Sequence, residues 1–261
     1  MSARDRAPKG GVTDCLIIAA GDGSRLAQHG PSKPLVCVEG VALIDRVMCT
    51  ASQAGLRRFH LVTGHRADEL EQHVREVAGR RGFDVGFVRN PRWDQPNGVS
   101  VRCAAAVLPA RFVLLMADHL FAPSLLERVI QPPLGDDEVV LAVDRRIVGH
   151  PTVDLDDVTR VFIDGEHLRD IGKGLEHYNA FDTGVFVCTH AIFAALDAGG
   201  RAGDLSLSGG IRTLASHGRV RTVDVSDEVW IDVDDDRALA LAARLFPNAR
   251  ASATCLLPAS T

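Results

Sequence analysis

The sequence predicts a doubly wound, mostly parallel α/β sheet carrying a small β-rich insertion. Three observations predict it. Apolar runs alternate with amphipathic stretches between residues 15 and 143, the rhythm of strand, crossover helix and next strand. The first apolar run feeds a loop with Gly21 and Gly23, and in such sheets ligands bind outside the carboxyl ends of strands. After Arg145 the rhythm changes to short strand-like segments.

Taken in order, residues 15–20 are a continuous apolar run and read as a buried strand. Residues 42–54 read as a helix ended by Gly55, 59–63 as a strand, 67–78 as a helix and 84–88 as a strand. Residues 100–107 follow as a helix, 112–116 as a strand, 123–130 as a helix and 138–143 as a strand. Beyond Arg145, residues 159–163, 169–171 and 184–188 read as short strands, with Asp164-Gly165 as the hairpin turn between the first two. Helical patterns return at 191–196, 208–215 and 237–246. The expected organisation is a disordered leader at 1–13, one domain at 14–247 with its β-rich region near 145–190, and a loosely packed tail at 248–261.

Composition narrows the function classes. The 261 residues carry a net charge of −5, so no global basic field draws in nucleic acid. No apolar segment reaches the length of a membrane span, and the leader lacks the apolar core of an export signal. The six cysteines are scattered without a CxxC pair, which fits reduced thiols in a cytoplasmic protein. The histidines lack HExxH and HxxxH spacing, which disfavours a zinc hydrolase.

The chemistry concentrates in residues 16–35, LIIAAGDGSRLAQHGPSKPL. Gly21 and Gly23 permit close approach of backbone amides to phosphate, and Arg25 and Lys33 add two cations. The loop lacks the GKS or GKT ending of a P-loop and the GxGxxG dinucleotide spacing. Asp118, at the end of FVLLMAD, can hold Mg²⁺ beside a triphosphate or serve as a turn or helix-cap residue. Alternation puts Asp232 and Asp234 on one face of a strand end, while Asp235 and Asp236 suit a helix start. Asn97-Gly98-Val99-Ser100 serves equally as a turn with Ser100 as helix cap or as a ligand loop. Lys173 between Gly172 and Gly174 is either solvated or reaches into a cleft. Arg145 and Arg146 are candidate electrostatic helpers, and His119 reads as packed or solvent-facing, without a catalytic assignment.

The string at 16–35 resembles the signature of the MobA-like nucleotidyltransferases, which join a nucleoside monophosphate to a sugar or alcohol phosphate. LMADHLF, LAVDRR, IGKGLEHYNAFDTGVFV and VWIDVDDDRAL, in that order, are similar to L-myo-inositol-1-phosphate cytidylyltransferases, over about residues 14–246. The resemblance implies a Rossmann-like fold and transfer of CMP from CTP to an alcohol or cyclitol phosphate. It implies Mg²⁺ on Asp118 with Asp232 and Asp234, and catalytic roles for Arg25, Lys33 and Lys173. It further implies nucleotide contacts at Ala19, Ala20, Gly21, Gly23, Ser24, Asn97, Gly98 and Ser100. Lys173, Asp182, Thr183 and Gly184 would form the acceptor side. The family often reads Asp-Val-Asp-Thr-Pro where this chain has Asp-Val-Asp-Asp-Asp, which leaves the choice between Asp232 and Asp234 open. Family members are often fused to a membrane phosphotransferase absent here, so that such a partner is expected as a separate protein. A phosphonate or sugar-phosphate acceptor, UTP or GTP as donor, and a catalytically silent nucleotide-binding module remain as alternatives. The oligomeric state stays open, a homodimer included.

Overall fold

A computed structural model describes residues 11–247. The chain begins with β1 (Asp14–Ala19), two single 3-10 turns at Ser24–Leu26 and Lys33–Leu35, and a short ribbon of β2 (Cys37–Val38) and β3 (Val41–Ala42). Next come α1 (Leu43–Gln53), β4 (Arg58–Thr63), α2 (Ala67–Arg81), β5 (Asp84–Arg89) and α3 (Asn97–Cys103). They are followed by β6 (Arg111–Met116), β7 (His119–Phe121), α4 (Pro123–Val129) and β8 (Val139–Asp144). The second half holds β9 (Arg160–Asp164), β10 (His167–Gly172), β11 (Ala180–Thr189), α5 (Ala191–Arg201) and α6 (Leu207–Ala215). It closes with β12 (Val220–Asp224), β13 (Trp230–Asp232) and α7 (Asp236–Leu245).

Nine strands form one sheet in the order β5-β4-β1-β6-β11-β8-β12-β10-β9. Side-chain alternation along each strand feeds two cores. Cys15, Ile17 and Ala19 of β1 pack with Leu43 and Val47 of α1 and Leu125 of α4. Leu16 points to the opposite face, with Val101 of α3, Ile192 of α5 and Ile211 of α6. Helices therefore cover both faces, the doubly wound arrangement expected.

The quartet β5-β4-β1-β6 is parallel throughout. From β1 the chain moves outward through β4 to β5, then returns to lay β6 on the other side of β1. That reversal makes the β1/β6 boundary the switch point, and the glycine loop and Asp118 leave from adjacent strand ends.

Beyond β6 the sheet is mixed rather than mostly parallel, because β11 runs antiparallel to both β6 and β8. The β9–β10 hairpin is the reason. It turns at Gly165, whose φ of 63° suits glycine, and brings Gly172 back opposite Arg160, which in turn pairs with Phe181. β11 thus starts at the carboxyl rim, and Asp182 to Gly184 sit beside the end of β6. A separate ribbon pairs β13 with β7 and sets Asp232 opposite His119.

Three details differ from the sequence reading. α3 starts at Asn97 rather than residue 100 and tightens into a 3-10 turn at Ala104–Ala106. β12, β7 and the β2–β3 ribbon lie in stretches with no clear strand pattern. The end of the expected leader is part of the fold: Val12 is buried, and the Thr13 carbonyl accepts from the Arg57 and Arg58 amides. The rest of that leader and the expected tail at 248–261 lie outside the described residues.

Candidate active site

Gly23 and Lys33 set the floor of the cleft. Gly23 has φ 61°, and a Cβ there would lie 2.2 Å from Lys33 Cβ, so only glycine lets the loop close on the lysine stem. The 3-10 turn begun by Lys33-Pro34 then aims the ammonium inward. Lys33 Nζ lies 2.5 Å from Asp118 Oδ2, donates to Asp234 Oδ1, and stands 3.8 Å from Asp232 Oδ1. Burial disfavours this ammonium, but Asp118, Asp232 and Asp234 outweigh burial and hold it above the ordinary lysine range. Burial likewise works against an ionised Asp118, and Lys33 and His119 overcome it, leaving that carboxyl well below its usual range.

His119 belongs to this cluster, where sequence reasoning left it unassigned. Its Nδ1 lies 2.8 Å from Asp118 Oδ1 and 3.6 Å from Asp232 Oδ1. Burial pushes the imidazole down, but Asp232 and Asp118 raise it to about 9. Asp118, His119 and Asp232 each offer a ligand atom, all within 4.8 Å of one another. Asp232 Oδ1 accepts no hydrogen bond although the side chain is 38% exposed, which leaves a carboxylate oxygen available for a cation. Two carboxylates suit a hard divalent cation that keeps further sites for phosphate or water. Asp234, expected with them, lies instead between Lys33 and Arg25, whose Nη2 is 2.8 Å from Asp234 Oδ2.

Burial raises Asp232 to about 7, with His119 offsetting only part of the effect. A cation must displace any proton held there. Mn²⁺ affinity is therefore expected to weaken by up to about tenfold per pH unit as pH falls below 7. Calorimetric titration with Mn²⁺ between pH 5.5 and 8 checks this, and a flat affinity would remove Asp232 from the cation site.

A bulge in β11 between Asp182 and Phe186 shapes the opposite wall. Gly184 has φ 75°, and a Cβ there would lie 2.4 Å from His119 Cδ2, so the imidazole rests directly on this backbone. Asp182 Oδ1 accepts the Gly184 N–H at 2.7 Å, and burial pushes the carboxyl up to about 6 despite that bond and His119. Thr183, expected on the acceptor side, is instead fully buried and donates to the Ala142 carbonyl at 3.0 Å. Strand alternation turns it away from the cleft. Thr183→Val is expected to lower stability by about 1 kcal/mol and leave the acceptor KM unchanged, read by denaturant unfolding and steady-state kinetics.

Around the glycine loop, Ala19, Ala20, Gly21, Gly23, Ser24 and Asn97 line a cleft of about 480 Å³, within the range of small-molecule sites. Asn97 Oδ1 also accepts from the Leu207 amide at the start of α6. Gly98 and Ser100 do not line the cleft. A Cβ on Gly98 would meet the Leu205 carbonyl at 2.4 Å, so this glycine serves close packing on the segment before α6. Ser100 is buried inside α3, where its hydroxyl accepts from Asn90 Nδ2 at 2.9 Å, and so it neither caps the helix nor meets a base.

Lys173 follows β10 at the rim and pairs with Asp157, a residue the sequence reading passed over. Asp157 Oδ2 also accepts from Arg25 Nη1 at 2.7 Å. An acidic loop is ordinary in sequence, and only the fold carries Asp157 to both cations. Arg145 and Arg146 do not act in the cleft. Arg146 donates to the buried Asp144 carboxylate and the Glu228 carbonyl, and Arg145 lies 3.5 Å from Asp224. Among the described residues, Cys15, Cys37, Cys103 and Cys188 are free thiols, and no helix is long and apolar enough to cross a membrane.

A bifunctional IPC transferase and DIPP synthase of Rubrobacter xylanophilus is 35% identical over 86% of this chain and 50% of its own length. The protein of the same name from Thermococcus kodakarensis is 30% identical over 88% of this chain and 50% of its own. The chain thus spans about half the length of these curated relatives. The solved inositol-1-phosphate CTP transferase of T. maritima shares the fold, with a TM-score of 0.81 and 24% identity over 91% of this chain and 96% of that one. The MobA-like NTP transferase domain matches residues 15–176, a span holding the glycine loop, Lys33, Asp118 and Lys173. By this match the chain belongs to the MobA-like NTP transferase family.

Proposed function

We propose that the chain transfers CMP from CTP to an alcohol or cyclitol phosphate, inositol 1-phosphate above others, and releases pyrophosphate. The observation that carries this reading is the convergence of Arg25, Lys33 and Lys173 on one cleft that also holds the Asp118–His119–Asp232 cluster. The printed names of the relatives, an IPC transferase and an inositol-1-phosphate CTP transferase, support the choice of substrates.

In the reaction an acceptor phosphate oxygen bonds to the α-phosphorus of CTP, and the bond from that phosphorus to the bridging oxygen of pyrophosphate breaks. The acceptor needs no general base, since a phosphate monoester with its second pKa near ~6 is largely dianionic at pH 7. Catalysis is then alignment and charge neutralisation. Arg25 holds the leaving pyrophosphate, Lys33 faces the charge developing on the reacting phosphate, and Lys173 draws in the acceptor phosphate. Asp118 and Asp232 would hold Mg²⁺, which would supply further neutralisation of the phosphate oxygens, with His119 beside them as the charged hydrogen-bond partner of Asp118. A cytoplasmic setting fits the free thiols.

Pyrophosphate release with Mg²⁺, inositol 1-phosphate and each of the four nucleoside triphosphates tests the reading. Release with CTP alone is expected. A second reading keeps CTP and changes the acceptor to a phosphonate, because the CMP-5'-(3-aminopropyl)phosphonate synthase of Streptomyces rubellomurinus is 30% identical over 84% of this chain. Release with an aminoalkylphosphonate and none with inositol phosphate would favour it.

A further inference from the structure

The cations on the two sides of the cleft are joined by one carboxylate. Arg25, from the glycine loop, donates to Asp157 Oδ2 at 2.7 Å, and Lys173, from the turn after β10, pairs with Asp157 Oδ1. One anion thus offers one oxygen to each cation, as a bridging phosphate would. Burial works against ionising Asp157, and Lys173 and Arg25 overcome it, holding the carboxyl well below its usual range.

These pairs differ from the one at Lys33. Lys33 is only 12% exposed, whereas Arg25 and Lys173 are 53% and 60% exposed. Ion pairs this open are weak and exchange readily for another anion. The segment carrying Asp157 does not depend on them for its shape. The Asp157 and Val158 amides donate to the Asp154 carbonyl. Arg160 donates to the Leu155 carbonyl at 3.0 Å and to the Leu175 carbonyl at 3.2 Å, tying this segment to the Lys173 turn. The Arg160 guanidinium is itself held over the Tyr178 ring, 4.9 Å from its centroid. Asp157 can therefore release both cations while its backbone stays in place.

We propose that Asp157 is a built-in counter-anion for Arg25 and Lys173, and that phosphate groups of the two substrates displace it from these cations. This rests on the assignment of Arg25 and Lys173 to substrate phosphates in the proposed function. Asp157 then sets the anion affinity of both subsites.

Calorimetric titration of pyrophosphate and of inositol 1-phosphate into wild type, Asp157→Asn and Asp157→Ala, all with Mg²⁺, tests this. Both variants are expected to bind pyrophosphate about fivefold more tightly, the scale of one partly exposed ion pair. Inositol 1-phosphate is expected to tighten similarly, while cytidine binding stays unchanged. Thermal unfolding midpoints near wild type establish that the variants fold. Unchanged or weaker pyrophosphate binding overturns the inference, weaker binding meaning that Asp157 positions the cations instead. Tighter pyrophosphate binding without inositol 1-phosphate binding to any of the proteins leaves the inference standing and removes inositol phosphate as acceptor.

Discussion

Lys33→Ala is expected to lower turnover by about 10²- to 10³-fold, the loss seen when one preorganised donor to a transition-state oxyanion is removed. Lys33 brings a buried ammonium to within reach of Asp118, Asp234 and Asp232, so its removal also leaves three carboxylates facing one another. Stability should fall by about 3 kcal/mol at pH 8, the lower end of the cost of breaking a buried ion pair. Asp118 is held ionised in the fold by Lys33, with a folded pKa below its unfolded value. That contribution is present above the unfolded carboxylate pKa and fades as pH falls through the folded one. Without Lys33 the folded carboxyls gain protons at higher pH, so the deficit against wild type should shrink toward pH 5. Single-turnover kinetics and urea unfolding at the two pH values check both halves. Wild-type turnover would remove Lys33 from the chemistry.

Gly184→Ala should produce the second largest loss. The new methyl would sit 2.4 Å from Cδ2 and 2.8 Å from Nε2 of His119, on backbone at φ 75°. The left-handed conformation alone costs an alanine about 1–2 kcal/mol. His119 cannot yield freely, since its Nδ1 is engaged by Asp118 and its own strand is paired to β13. Either the ring or the bulge of β11 must move, and a shift of about 1 Å at such a site can cost about 10²-fold in rate. The expected signature is a drop in kcat together with weaker Mn²⁺ binding. Wild-type values for both would mean that the His119 position is irrelevant to the cluster.

The parts of this protein legible in its sequence are those written in local pattern. β1, β4, β5 and β6 announce themselves as apolar runs, and the loop with Gly21, Gly23, Arg25 and Lys33 follows the first of them. Asp118 and Asp232 stand at strand ends, where a carboxylate can reach a rim site. What escaped depends on distant pairing. The direction of β11 is set by the β9–β10 hairpin and not by any residue within β11. Thr183 sits between two cleft residues, yet its strand faces it toward β8. Gly98 and Ser100 look like a ligand loop until α6 and Asn90 are seen packed on them. Asp157 acquires meaning through Lys173 and through Arg25, the latter 132 positions away in sequence.

The ribbon of β7 and β13 sets the moment at which this protein can begin to work. Asp118 leaves the ribosome well before its partners Asp232 and Asp234, which follow more than a hundred residues later. Lys33 waits longer still, across 201 positions, for Asp234. A nascent chain that has completed β1 through β11 lacks two of the three carboxylates that face Lys33. Contacts of such long sequence separation form late and slowly. The carboxylate cluster is therefore completed only once β13, the last strand among the described residues, has emerged.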